Sequence, residues 1–171
     1  MRIGELPAIR IGLSRASSYW NPAEATLIIK TSMWEGIEQA PTKHSLRTIE
    51  IYRPLNTFLK SLVGPLTDLK SGTNKFLFGT GFVFGSADPV SETSIRLHLK
   101  KYIPDGFHSL RRFRATTLRA GRCEEQITRY WLGHSPGQSI TDMYSKLYLD
   151  ERYRRAECAR IGLGFAFSKT S

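Results

Sequence analysis

Two side chains in the second half of the chain have the types and the spacing to bind one phosphate group. His108 and Arg111 are three residues apart, and positions i and i+3 of a helix share one face. A guanidinium matches two phosphate oxygens, and an imidazole can donate a hydrogen bond or move a proton near neutral pH. A further histidine, His134, follows a glycine 23 residues after Arg111. Together these residues suggest chemistry on a phosphodiester.

Tyr144 offers a nucleophile for that chemistry, ten residues after His134. A tyrosine hydroxyl can attack an electrophile and form a covalent intermediate. The free phenol is a weak nucleophile because its ordinary pKa is about 10, so it needs a neighbouring base and an electrophilic phosphorus atom. The pattern therefore favours covalent chemistry at phosphorus.

The composition favours a polyanionic partner. The chain has 171 residues, a formal net charge of +10, a pI near 9.9 and 40% hydrophobic residues. This length is enough for one domain with its own core. A basic balance of this size is typical of proteins that bind nucleic acid, although a solvated basic surface would give the same count.

The same sequence indicates a cytoplasmic protein that needs no cofactor. Cys123 and Cys158 lie outside any Cys-x-x-Cys spacing, which fits a reduced protein better than a disulfide scaffold. No apolar run reaches the roughly 20 residues of a membrane span, and the charged N-terminus lacks a signal peptide's apolar core. The glycine-rich segment 79–89 lacks the Lys-Ser/Thr ending of a P-loop, and no metal-binding motif is present.

The sequence predicts a single α+β domain over residues 1–171, whose helices and strands must position these residues. The domain is expected to be mostly helical, with a small antiparallel sheet near the N-terminus. β-Branched runs at 26–29 and 47–51 predict two strands of that sheet, and residues 9–13 predict a third. A short helix is expected within residues 1–10. Further helices are expected at 54–63, 91–102, 108–121, 124–131, 139–149 and 151–160.

The stretch from His108 to Tyr144 resembles the catalytic core of the tyrosine recombinases, the phage integrase family. The motifs that carry the resemblance are His108-Ser109-Leu110-Arg111, Leu132-Gly133-His134 and Tyr144. Two earlier segments are similar to the family's first arginine and its hairpin lysine. They are Arg2-Ile3-Gly4-Glu5-Leu6 and Thr42-Lys43-His44-Ser45-Leu46-Arg47-Thr48-Ile49. The likeness covers almost the whole chain and keeps the family's order.

This resemblance implies site-specific DNA recombination or integration through a 3′-phosphotyrosyl intermediate. Arg2 and Arg111 would hold the non-bridging oxygens of the scissile phosphate, where charge grows in the transition state. His134 would hydrogen-bond the same phosphate. Because the covalent link retains the energy of the phosphodiester, neither ATP nor a metal is required.

The remaining catalytic roles follow from the same resemblance. Tyr144 would attack phosphorus, Lys43 would protonate the departing 5′-oxygen, and His108 would help in proton transfer. The interval from His134 to Tyr144 is one residue longer than the family's commonest version, so Tyr148 stays open as an alternative nucleophile.

Double-stranded DNA is the partner that the resemblance implies. Arg112 and Arg114, on a helix with four arginines in twelve residues, are expected to contact phosphates, and Arg47 is expected to add another contact. The apolar tail 161–167 is expected either to dock on a neighbouring protomer, giving a tetramer on DNA, or to fold back on its own core. The family's N-terminal core-binding domain is absent from these residues, so the chain corresponds to a partial catalytic domain.

Two other interpretations remain open. The first is a DNA-binding remnant of an integrase that no longer cleaves. The second is a basic interaction domain, such as a helix-turn-helix regulator within residues 108–134, which would leave the ordered pattern of Lys43, His134 and Tyr144 unexplained.

Overall fold

Most of the strands lie in the N-terminal third of the chain and form one mixed sheet. The computed structural model describes residues 1–11, 16–40, 46–63, 88–134 and 144–166. Its strands are β1 (Arg10–Ile11), β2 (Tyr19–Asn21), β3 (Thr26–Ile29), β4 (Ser32–Trp34), β5 (Ile37–Gln39) and β6 (Arg47–Glu50). The larger sheet has the order β1-β2-β3-β6, and β4 pairs with β5 in a separate hairpin. The predicted α+β class is confirmed.

The pairing within the sheet differs in part from the expected antiparallel arrangement. β2 and β6 each pair antiparallel with β3, but β1 runs parallel to β2, with Arg10 opposite Tyr19. The helix expected within residues 1–10 is only a 3-10 turn at Ile3–Glu5. Pro7 explains this difference, because proline has no N–H to donate and its ring clashes with the carbonyl four residues earlier.

Five helices are described beyond the sheet. They are α1 (Arg53–Val63), α2 (Glu92–Lys100), α3 (Phe107–Ala120), α4 (Glu125–Leu132) and α5 (Glu151–Ile161). All five lie where the sequence predicts helices. Of the helix predicted over 139–149, residues 139–143 lie outside the described residues. In the described part the prediction is wrong, because Ser145 and Lys146 are not helical and Leu147–Leu149 form a 3-10 helix.

Side-chain caps explain where three of these helices begin. Ser91 accepts a hydrogen bond from the backbone N–H of Ser94 at 3.1 Å, which starts α2. Asp150 accepts from the N–H of Tyr153 at 3.0 Å and starts α5. Glu124 caps the N-terminus of α4 in the same way. Each bond satisfies a backbone donor that has no partner within the helix.

Two apolar clusters pack these elements together. The cluster around Leu118, Ile127, Trp131 and Cys158 joins α3, α4 and α5. The other cluster joins the sheet to α1 and contains Ile9, Trp20 and Ile51. The packing of α4 against both α3 and β6 is what positions the end of α4. None of the described helices has the length and apolar character that a membrane crossing requires.

The inward face of α1 contains a buried polar side chain between its leucines. Leu55 and Leu59 pack against the sheet, but Phe58 is 42% exposed. Asn56 is buried in its place, because its amide oxygen accepts from Trp20 Nε1 at 2.9 Å. This hydrogen bond holds Asn56 on the inward face of the helix.

Candidate functional site

The C-terminal end of α4 is the centre of the candidate site. Gly133 ends the helix in the left-handed conformation, with φ 70° and ψ 35°. The N–H groups of Gly133 and His134 bond back to Tyr130 and Arg129. The last carbonyls of a helix have no intrahelical partner, and they carry the negative end of its dipole. This end of α4 therefore needs donors, and positive donors suit it best.

Three arginines from different elements supply those donors. They come from the N-terminal segment, from β6 and from α3, and they bind three successive carbonyl oxygens. The pairs are Arg47 Nε with Trp131 O at 3.2 Å, Arg111 Nη2 with Leu132 O at 2.6 Å, and Arg2 Nη2 with Gly133 O at 3.0 Å. The fold thus gathers three guanidinium groups around one turn.

One carboxylate, that of Glu5, partly neutralises this cluster. Its two oxygens accept from Arg47 Nη1 at 3.0 Å and Arg47 Nη2 at 2.8 Å, and the side chains are 3% and 0% exposed. The backbone N–H of Arg2 also donates to Glu5, at 2.7 Å. Arg47 therefore lies in the interior as half of a bidentate ion pair. This burial contradicts the expectation that Arg47 contacts a DNA phosphate.

Arg111 has no ion pair among the described residues. Burial lowers the pKa of Arg111, and the charges of Arg2 and Arg47 lower it further against the opposing effect of Glu5. Arg111 Nη1 is buried and has no hydrogen-bond partner among the described residues. An unused charged donor beside a second guanidinium is suited to binding an anion.

His134 completes the cluster. Its Nε2 lies 2.9 Å from Arg111 Nη2. A guanidinium can only donate, so Nε2 must accept, and the proton of the neutral ring is on Nδ1. Burial lowers the pKa of His134, and Arg111 and Arg2 add to the effect. The exposed ring is therefore a neutral acceptor that is held in place by Arg111.

The structure brings together three of the six predicted catalytic residues, namely Arg2, Arg111 and His134. His108 lies in the first turn of α3 and is exposed. Lys43 lies outside the described residues. Tyr144 is 86% exposed, and its hydroxyl has no hydrogen bond within the described part of the chain.

The alternative nucleophile, Tyr148, has different surroundings. Tyr148 is half-buried, and its ring lies 5.5 Å from that of Tyr130, measured between centroids. It packs against the cluster that joins α3, α4 and α5. Tyr148 therefore has a packing role, whereas Tyr144 is open to solvent.

The two predicted DNA contacts on α3 have different environments. Arg112 is exposed, as a phosphate contact requires. Arg114 is half-buried and donates to the carbonyl of Gly162 at 2.6 Å. This internal hydrogen bond argues against the expected contact of Arg114 with a DNA phosphate. Burial lowers the pKa of Arg114. In the described part of the tail, the ring of Phe165 also lies 6.3 Å from that of Phe113, so the tail packs on α3 of its own chain.

A groove of about 830 Å³ lies between α3 and α4 and reaches His134. Thr116 and Arg119 line it from α3, and Thr128 and Arg129 line it from α4. Arg129 is paired with Glu125 at 2.8 Å, whereas Arg119 is exposed and has no ion pair among the described residues. The groove thus extends the positive character of the site along α3.

Sequence reasoning missed the part played by Glu5. A glutamate followed by the apolar run Leu6-Pro7-Ala8-Ile9 is a candidate for burial, and a buried carboxylate needs a cationic partner. That signal was available in the sequence. The sequence did not identify the partner, Arg47, which lies 42 residues away.

Comparison of the chain with models of known protein families, with characterised proteins and with solved structures finds no match. Within the described ranges, no three His, Cys, Asp or Glu side chains form a group that could hold a metal ion.

We expect Gly133→Ala to destabilise the fold by more than its backbone strain alone. A Cβ at Gly133 would lie 2.9 Å from the buried Arg47 guanidinium, and φ is +70°. Gly36→Ala is the matched control, because φ there is +81° and nothing lies within 4 Å of the added Cβ. Urea unfolding should give a loss of about 1 kcal/mol for Gly36→Ala and a loss larger by roughly 1–3 kcal/mol for Gly133→Ala. Equal losses would show that the Arg47 contact is unimportant.

The lowered pKa of His134 also has a testable consequence. The unfolded chain binds this proton below about pH 6.5, while the folded chain resists it, so stability falls as the pH drops from 6.5 through the folded pKa. NMR titration of the His134 ring should give a midpoint below 6.5. Arg111→Met should raise that midpoint, because it removes the nearest repelling charge, whereas Arg119→Met should not. A midpoint unchanged by Arg111→Met would contradict the pairing.

Proposed function

We propose that this chain is a catalytic domain of tyrosine-recombinase type that cuts and rejoins double-stranded DNA. The observation that carries the proposal is the convergence of Arg2, Arg111 and His134 on one turn. The resemblance to the tyrosine recombinases implies that these same residues bind the scissile phosphate. Arg2 precedes Arg111 by 109 residues and Arg111 precedes His134 by 23, so their proximity is not a consequence of local structure.

The geometry around Arg111 fits the binding of a phosphate. Its Nη2 holds the Leu132 carbonyl and the His134 ring. Its Nη1 is buried and has no partner among the described residues, so a phosphate that displaces the covering groups would meet an unused donor. Donors that are already fixed before the charge develops stabilise a transition state without reorganising. Arg2, anchored to the next carbonyl, would provide the second guanidinium.

The reaction itself would proceed in two reversible displacements. The Tyr144 oxygen attacks phosphorus, the bond to the 5′-oxygen breaks, and that oxygen leaves with the bonding electrons. Lys43 gives it a proton, and His108 takes part in moving the phenolic proton. Attack of a 5′-hydroxyl from another strand on the phosphotyrosine then restores a phosphodiester and frees Tyr144.

A DNA-binding domain that does not cleave is the second candidate. The exposure of Tyr144, with no hydrogen bond to its hydroxyl in the described part of the chain, favours this candidate. A helix-turn-helix regulator has less support. Ile127, Trp131 and Leu132 of α4 are buried, and the helix end is occupied by arginines, so α4 offers little surface for reading bases.

A nicked suicide substrate tests the proposal. The wild type, Tyr144→Phe and Tyr148→Phe are incubated with nicked duplexes, and covalent protein–DNA adducts are resolved on a denaturing gel. We expect an adduct with the wild type and with Tyr148→Phe, and none with Tyr144→Phe. Salt-sensitive binding without any adduct would favour the non-cleaving domain. An adduct lost only with Tyr148→Phe would reassign the nucleophile.

We further expect Arg119→Ala to weaken binding of any duplex and to lower its salt dependence. Each phosphate contact contributes about 0.9 to the slope of log K against log salt concentration, so removal of one should reduce the slope by about 1. Arg53→Ala is the control, because Arg53 is exposed at the start of α1 and lines a different pocket. Fluorescence anisotropy at several salt concentrations measures both slopes. An identical decrease for the two variants would argue against the groove as the DNA surface.

A further inference from the structure

Strand β6 buries a second charged residue, Glu50, three positions after Arg47. Glu50 Oε1 accepts from Arg154 Nε at 2.7 Å, and Oε2 accepts from Trp131 Nε1 at 2.6 Å. The Glu50 and Arg154 side chains are 2% and 6% exposed. One carboxylate therefore joins α5 to α4, two residues before Gly133.

Arg154 makes a second contact that reaches the segment after Tyr144. Its Nη1 donates to the carbonyl of Tyr148 at 2.7 Å, within the 3-10 helix Leu147–Leu149. Its guanidinium also lies over the ring of Tyr130, 5.1 Å from the centroid. Because a guanidinium is a rigid planar fork, the bond to Glu50 fixes the direction of the bond to Tyr148.

These contacts connect the two halves of the candidate site through one ion pair. Trp131 precedes the turn that carries His134, and Tyr148 follows Tyr144 by four residues. A buried ion pair is a poor source of stability, since well-packed apolar side chains often serve as well. What apolar side chains could not reproduce is the directed bond to the Tyr148 carbonyl.

We propose that Glu50 and Arg154 are positioning residues. They hold residues 144–149, which include Tyr144, in a fixed position relative to Arg111 and His134. The proposal rests on the recombinase-type function above, with Tyr144 as nucleophile. Neither residue contacts the substrate. Their effect is on the placement of the attacking oxygen relative to phosphorus, to which displacement rates are very sensitive.

Two variants separate positioning from simple stabilisation of the fold. The double variant Glu50→Gln with Arg154→Met removes both charges, leaves an acceptor for Trp131 Nε1, and loses the bond to Tyr148. Arg154→Lys keeps a charge opposite Glu50 but lacks the fork that spans both acceptors. Arg155→Met is the control, since Arg155 on the same helix pairs with Glu24 and Glu151.

Amide hydrogen exchange gives a readout that does not depend on activity. The N–H groups of Leu149 and Asp150 bond to Lys146 and Leu147 within the held segment, and the N–H of Gly121 reports on α3. We expect exchange at Leu149 and Asp150 to accelerate about ten-fold in both variants, with Gly121 and the Arg155→Met control unchanged. On the suicide substrate, adduct formation at saturating DNA should fall by about 10–100-fold with unchanged DNA affinity.

Unchanged exchange at Leu149 and Asp150 in both variants would overturn the proposal. Faster exchange with a normal rate of adduct formation would also overturn it, because the segment would then be held without positioning the nucleophile. A wild type that forms no adduct is a failure of the proposed function. The exchange data would then still decide whether the ion pair holds the segment.

Discussion

The structure depends on two opposite charges that β6 carries into the interior. Arg47 and Glu50 both contact Trp131, the first at its carbonyl oxygen and the second at its indole nitrogen. A charge can be buried only when it is paired and hydrogen-bonded, so each one restricts its neighbours to a few geometries. Apolar packing alone would let α4 slide or rotate against the strand. The two charges fix the position of α4, and with it the turn at Gly133.

The same charges decide which arginines are neutralised. Arg47 has Glu5 and Arg154 has Glu50, and both pairs are buried. Arg111 is bound mainly by a carbonyl oxygen and an imidazole nitrogen, which orient it without cancelling its charge. A helix C-terminus therefore holds a guanidinium in a fixed orientation while leaving it able to attract an anion. This is the preorganisation that electrostatic catalysis of phosphoryl transfer requires.

Local patterns in the sequence located the helices α1 to α5 through capping residues, apolar spacing and glycine. The grouping of Arg111 with His134 rested on the resemblance to a known family. One error was local, since Pro7 lies just after the 3-10 turn where a longer helix was expected, and others arose where a residue's environment depends on a distant partner. Arg47 has the appearance of an exposed strand residue until Glu5 is placed beside it, and Asn56 is buried on α1 only because Trp20 lies opposite. No local pattern contains these pairings.

Net charge illustrates the same limit. Each internal ion pair removes one charge of each sign, so burial of Arg47 and Arg154 with their glutamates leaves the formal excess of +10 intact. Other arginines have no ion pair among the described residues. On α3 they include Arg111 and, about 80° further around the helix, Arg119, given 100° per residue. Two of the unpaired charges therefore lie at the groove and beside the Gly133 turn, where the proposed function would place DNA.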